Sequence, residues 1–492
     1  MGKNMQEKSL KVNIIMNGIR TITSVIFPLI TLPYASRILQ TEGIGKVNFV
    51  AAVMVYLQMI ASLGINTYAI REGAKVRNDR EKISKFASEM LCINLLSMCV
   101  SYVLVFMLMF IPALSSYKDS LAIYSLVLLF GVIGVEWLYS IYEDFEYITL
   151  RALLVQTVSL ILLFIIVKDK DDTNNYIITT VLAAAGSSIW NILHSRKYVD
   201  WFVGLRDYHL FKHMKPIMII FGTSIASKIY WNMDTLMIGI IKNDSEVGLY
   251  SAATKFNAVL YTLITAVSGV MLPRLSYCLG KNKRKEYEKL VYISMQYLMF
   301  AIIPVIVGLF LIAPNLIILF CGKSFANAAI TMRIMLPNLF CSILDGFIVY
   351  QILVPNNGEK KALQATIAGA VMNLLFNSIL IPLYGRNGAA VATVITEIVV
   401  FIICICNASK VMNCKNIFRG VWQYCIAALA FVLVNMVIIK IGITGNILIV
   451  VSEIIIGAIA YIILLLIMKN QFIIELLQMV KRDGLNYTHN LK

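Results

Sequence analysis

Apolar runs of about twenty residues recur from one end of the chain to the other, separated by short polar connections. A run of that length is what an α-helix needs to cross the roughly 30 Å hydrocarbon core of a bilayer. Strands of a membrane β-barrel alternate apolar and polar residues, whereas these runs are continuously apolar, so the pattern excludes a barrel. It predicts an all-α polytopic membrane protein of about fourteen helices, near 12–36, 44–68, 87–112, 120–142, 147–167, 176–195, 216–241, 247–272, 290–319, 331–354, 362–383, 387–408, 420–439 and 446–468. The ninth is long, and Ala313-Pro314-Asn315 predicts an interfacial turn inside it.

The amphipathic stretches set the expected organisation. In 196–215, Tyr198, Trp201, Phe202 and Leu205 fall on one side at helical spacing, which predicts an interfacial helix. This linker joins an N-lobe, 1–195 with helices 1–6, to a C-lobe, 216–411 with helices 7–12. Helices 13–14 and an amphipathic tail follow in 412–492. A weak repeat supports two lobes: Gly18 and Glu42-Gly-Ile-Gly45 recur as Gly222 and Glu246-Val-Gly248, offset by 203–204 residues. Copies six spans apart point the same way, so the implied pseudo-symmetry axis runs along the membrane normal.

Charge adds the orientation. The chain has 492 residues, 59% of them hydrophobic and 14% charged, with a net charge of +16. Alternate connections carry 30 Lys and Arg against 8 in the other set, which places both termini in the cytoplasm. The positive charge is thus a topology signal with some attraction to anionic membrane lipids, and implies no nucleic acid. No cleavable signal is apparent, and the nine scattered cysteines and four histidines suggest neither a disulfide framework nor a metal site.

Five cations break the apolar pattern: Arg20, Lys46, Lys228, Lys255 and Arg333. A charge near the midplane costs roughly 2.5–3.5 kcal/mol on insertion scales, so such residues usually face a wet cavity or an anion. Polar stripes accompany them. Asn13, Asn17, Arg20, Thr21, Ser24 and Thr31 share one face of helix 1; Ser224, Ser227, Lys228, Trp231 and Thr235 repeat it in helix 7; Ser251, Thr254, Lys255, Thr262 and Thr265 do so in helix 8. Hydroxyls alone are better explained by helix packing, but a cation in each stripe favours a shared cavity. The acids Glu136, Asp234 and Asp345 either pair with these cations or couple transport to a cation, while Glu397 and Glu453 read as structural. Pro28 and Pro33 in helix 1 allow a bend, moving or static.

Several stretches carry a family resemblance. These are Gly64-Ile-Asn-Thr-Tyr-Ala-Ile-Arg71-Glu72, Glu136-Trp137-Leu-Tyr followed by Phe145-Glu-Tyr-Ile-Thr-Leu-Arg151, Asp234-Thr-Leu-Met-Ile-Gly, Glu246-Val-Gly-Leu-Tyr-Ser-Ala-Ala253, and Tyr384-Gly-Arg-Asn-Gly-Ala-Ala-Val-Ala-Thr393 leading to Glu397. In this order they resemble the Wzx-type polysaccharide repeat-unit flippases (O-antigen, capsule or teichoic-type) of the multidrug/oligosaccharidyl-lipid/polysaccharide exporter superfamily. The resemblance implies two bundles about a cationic cavity in the bacterial cytoplasmic membrane. It also implies alternating access that moves undecaprenyl-diphosphate-linked oligosaccharides to the outer leaflet. Arg20, Lys46, Lys228, Lys255 and Arg333 would then meet the diphosphate, with Asn17, Ser24, Trp137, Ser224, Trp231 and Thr262 lining the cavity or touching sugar. No cofactor is expected beyond a coupling sodium ion or proton; a polysaccharide polymerase and glycosyltransferases of the same pathway are the expected partners. A lipid II flippase and a drug/cation antiporter of the superfamily are the rivals, although an antiporter for cations would prefer acids in its cavity. A membrane-embedded polymerase or ligase is disfavoured, because the longest outer connection is about eight residues, 168–175, and no nucleophile–base motif is evident.

Overall fold

The computed structural model describes residues 10–203, 207–476 and 478, and among them there is no strand. The helices are α1 (Leu10–Ser62), α2 (Ile65–Val76), α3 (Arg80–Met109), α4 (Lys118–Ile133), α5 (Glu136–Ile141), α6 (Phe145–Ile166), α7 (Thr173–Ala185), α8 (Ser188–Ser195), α9 (Leu210–Ile241), α10 (Asp244–Gly280), α11 (Arg284–Cys321), α12 (Ala328–Ile348), α13 (Glu359–Ala408), α14 (Val421–Ile441) and α15 (Asn446–Ile467). Among the described residues, 10 helical stretches are long and apolar enough to span a bilayer, so the chain is a multi-pass membrane protein. Reaching fourteen spans requires counting both halves of α1 and of α13, which break at Gln40 (φ 57°) and Gly385 (φ 57°), together with α9 and α10. The break in α1 is at Gln40; Pro28 and Pro33 lie within helix.

The chain divides into two compact units, Met1–Gly248 and Leu249–Lys492. By packing, α9 therefore belongs to the first unit, whereas the repeat groups it with helix 8. In this unit Ser97 and Ser101 of α3 donate to the carbonyls of Ala61 and Leu57, binding α3 antiparallel to the second half of α1. The start of α9 meets Gly64 through Ile220 and Phe221, and its end meets Phe49 at Gly239, so α9 also runs antiparallel to that half.

The two copies of the weak repeat meet where α1 crosses the first turn of α10. A Cβ on Gly45 would overlap the Asp244 carbonyl oxygen, and one on Gly248 would overlap that of Thr41. Both pairs of equivalent residues, 41 with 244 and 45 with 248, are 203 apart in sequence. The contact is thus reciprocal, as expected about a two-fold axis, and backbone approaches this close exclude any side chain. Ser245 Oγ donates to Thr41 Oγ1 at 3.0 Å across the same crossing.

The interfacial helix expected over 196–215 is replaced by turns at 196–198 and 201–203, with α9 beginning at Leu210. Serine hydroxyls of α3 capture the backbone here: Ser84 Oγ accepts from Asp200 N and Ser88 Oγ from Phe202 N, both at 2.9 Å. Side chains that satisfy backbone donors this way compete with helix. Tyr198 and Val199 are buried, while Leu205 lies outside the described residues. Within the same stretch, His213 is buried, its ring held between Glu89 Oε2 at 2.9 Å and the Tyr68 hydroxyl at 2.7 Å.

The second unit packs α10–α15 around Tyr287, Met295, Leu339, Phe347, Tyr424 and Tyr461. The turn expected at 313–315 does not form; α11 stays helical through Pro304 and Pro314. Proline at 314 leaves the Phe310 carbonyl without its helical donor. Arg333 Nε of α12 donates to that oxygen at 2.8 Å and its guanidinium lies 5.1 Å above the Phe310 ring. An in-span arginine thus replaces the hydrogen bond that proline removes.

Candidate site in the first unit

Arg20 projects from the first half of α1 into an ion network that no short sequence window contains. Its Nη2 lies 3.3 Å from Glu136 Oε2, while Arg151 Nη2 of α6 lies 2.8 Å from Glu136 Oε1. Arg151 Nη1 also hydrogen-bonds Asn191 Oδ1 of α8, and the guanidinium sits 5.7 Å from the Tyr147 ring. Glu136 is the first residue of α5 and follows Val135, a β-branched residue in the left-handed region (φ 37°). Backbone strain of this kind persists where surrounding packing fixes it, and here it aims the carboxylate between two guanidinium groups. Exposure falls from 43% for the Glu136 side chain and 38% for Arg20 to 5% for Arg151. The network therefore has a buried anchor and an accessible end.

Lys46 is not part of it. Its ammonium lies 5.9 Å from the Tyr117 ring, just before α4, whereas Glu136 lies beyond the far end of that helix. The 16 residues of α4 span roughly 24 Å at about 1.5 Å per residue, too far for one diphosphate to meet both cations. Tyr117 donates to Asp244 Oδ1 at 2.7 Å, beside a cavity of about 610 Å³ that Glu42, Lys242 and Asn243 also line. Burial raises the Asp244 carboxyl above the usual carboxylate range, opposed by the Tyr117 hydrogen bond and the Lys46 charge and assisted by Glu42.

The other expected residues lie on several helices. Lys228 is exposed on α9, and Trp231 one turn on is exposed with its ring edge-on to Tyr230. Asp234 is 7% exposed, in the electrostatic reach of Tyr56 on α1. Trp137 is 3% exposed and so offers no open face to a sugar in this conformation. The side chains of Asn17, Ser24 and Ser224 lie outside what the structure describes. In the second unit, Lys255 is half-buried near Cys321, Thr262 Oγ1 donates to the Ala258 carbonyl of its own helix, and Arg333 serves Phe310 as above. Asp345 and the buried Glu397 both act electrostatically on Cys404.

Arg151 and Asn191 are the residues that sequence reasoning missed. Arg151 counted as a loop cation in the topology signal, yet it is buried inside α6. Its signal lay in the Glu136–Arg151 stretch, which presents an acid and a base fifteen positions apart on two helices.

The fold of this helical membrane protein is shared with solved transporters. The structure matches that of the lipid II flippase MurJ in an inward closed conformation, with a TM-score of 0.75 and 19% identity over 94% of this chain and 100% of that one. It also matches an inward-facing multidrug resistance MATE family transporter, with a TM-score of 0.63 and 15% identity over 81% of this chain and 97% of the other. The chain belongs to the polysaccharide biosynthesis protein family, whose pattern matches residues 10–278. The MatE family overlaps it at residues 220–379. Among curated relatives, the "Putative O-antigen transporter" of Escherichia coli (strain K12) is 24% identical over 406 residues, covering 81% of this chain and 96% of that protein. These relatives are named as transporters and flippases, in line with the expectation of a protein that is not an enzyme.

Proposed function

We propose that the chain is a flippase for undecaprenyl-diphosphate-linked oligosaccharide repeat units, carrying them from the cytoplasmic to the outer leaflet of the bacterial cytoplasmic membrane by alternating access, with both termini cytoplasmic. The observation that carries this reading is Arg20: a half-exposed guanidinium inside a span, paired with a carboxylate that the buried Arg151 holds from behind. A guanidinium is suited to phosphate because its donors match two oxygens at once. Lys228, exposed on α9, is the proposed second cation. The name of the Escherichia coli relative and the fold shared with MurJ support a lipid-linked glycan as cargo. In reconstituted vesicles, Arg20→Ala and Lys228→Ala abolish flipping of lipid-linked glycan while protein levels hold; wild-type flipping by Arg20→Ala would overturn the assignment.

Asp234 and Asp345 are the proposed coupling groups for a sodium ion or proton. Each is an acid held away from bulk water in a different unit, where gain of a cation shifts the balance between conformations. At least one of Asp234→Asn and Asp345→Asn flips independently of an imposed gradient. Gradient-dependent flipping by both variants would leave these acids a structural role. A polysaccharide polymerase and glycosyltransferases are the proposed partners, because they consume and supply such a substrate.

A further inference from the structure

We propose that Glu136 is a resident counter-anion for Arg20, which the phosphate of the cargo displaces, and that Arg151 is the positioning residue that keeps Glu136 in place throughout. This inference rests on the reading of Arg20 as the phosphate-binding residue. The two oxygens of Glu136 are divided between the arginines unequally. Oε1 meets Arg151 at 2.8 Å, and Arg151 is itself fixed by Asn191 and by the Tyr147 ring. Oε2 meets Arg20 at 3.3 Å, through a single nitrogen, on the accessible side. The weaker contact is the one an incoming anion reaches first.

The arrangement answers a problem that a phosphate carrier faces in every cycle. After release, an arginine inside a span is left without its anion, which is unfavourable unless something replaces it. Glu136 takes that place when the cargo is absent. The buried Arg151 keeps the displaced carboxylate from swinging away to water, so that it stays within reach of Arg20. Binding and release then exchange one anion for another, so neither end state is deeply favoured. If Glu136 simply made a permanent structural pair with Arg20, the tighter and more buried contact would be expected on Arg20; it lies on Arg151 instead.

The test uses the full chain in zwitterionic lipid nanodiscs, with undecaprenyl diphosphate as probe and phosphatidylglycerol as the control anion. Glu136→Gln keeps the size and a hydrogen bond to Arg151 but removes the competing charge. It binds the diphosphate about fivefold more tightly, as a half-exposed ion pair is worth, and turns over more slowly because release has lost its replacement anion. Since the single change leaves the buried Arg151 hydrogen-bonded but without a counter-charge, Glu136→Gln with Arg151→Gln removes both charges together and shows the same tightening. Unchanged or weaker binding in both variants overturns the proposal. Equal tightening towards phosphatidylglycerol overturns the diphosphate as occupant. Loss of binding in Arg20→Ala with no change in the Glu136 variants refutes the displacement alone, whereas wild-type binding by Arg20→Ala refutes the site itself.

Discussion

Two regions of the first unit hold helices together by opposite means. At the crossing of 41–45 with 244–248, backbone lies on backbone, and glycine is required because no Cβ fits. At Arg20, Glu136 and Arg151, three long side chains bridge α1, α5 and α6, and much of the network is open to its surroundings. The first contact tolerates no added volume, and its close approach is made by backbone rather than by an ion pair. The second tolerates changes of volume but not of charge. A membrane protein gains little from hydrophobic burial between helices, since lipid is as apolar as leucine, so close packing and polar contacts are the available means. The close-packed region suits a contact that is either made or unmade, and the polar region suits one that trades partners.

The largest effect on stability is expected from the charged region. Glu136→Ala leaves Arg151 buried without its anion, which destabilises by about 3–5 kcal/mol. Thermal unfolding in detergent reads this directly, and a variant as stable as wild type would mean that Arg151 finds another partner. Restoring stability with the double neutral variant would show that the loss came from charge rather than shape.

The crossing gives the next effect. Gly45→Ala and Gly248→Ala each force a methyl group against backbone and cost about 1–3 kcal/mol. Because the contact is reciprocal, the two losses should be alike, and combining them should cost less than twice as much once the crossing has already been pushed apart. Clearly unequal losses would break the symmetry that the geometry implies.

The smallest effect concerns pH. The Asp244 carboxyl is raised above its ordinary value of about 3.8 by burial, so the folded chain binds more protons than the unfolded one. Stability from this group therefore falls as pH rises from near 3.8 through the folded value. Asp244→Asn removes that slope while leaving an acceptor for Tyr117. Identical pH profiles of unfolding for wild type and variant would show that Asp244 adds nothing to the crossing.

Much of the fold was legible in the chain, and the reason is the bilayer. Within hydrocarbon every backbone polar group must be satisfied inside its own helix, so twenty apolar residues leave little choice of structure. The repeat was legible too, through Gly18, Glu42 and Gly45, although nothing in the chain said that the copies would lie against each other. Features that depend on a second helix were not legible. Pro314 predicts a turn by itself, but Arg333 from α12 supplies the missing donor, and α11 continues as helix. The linker looks helical by periodicity, but serines of α3 take its backbone donors.

The candidate site divides in the same way. Residue type and hydropathy alone marked Arg20 and Glu136 as charges that a membrane span has to account for. Their meeting, the burial of Arg151 and the separation of Lys46 at the other end of α4 were decided by packing among α1, α4, α5, α6 and α8. Insertion energetics act on each segment separately, so sequence determines which residues are costly to bury. Which of them share that cost is set by contacts between residues more than a hundred positions apart, as Arg20 and Glu136 are, and only the tertiary structure settles those.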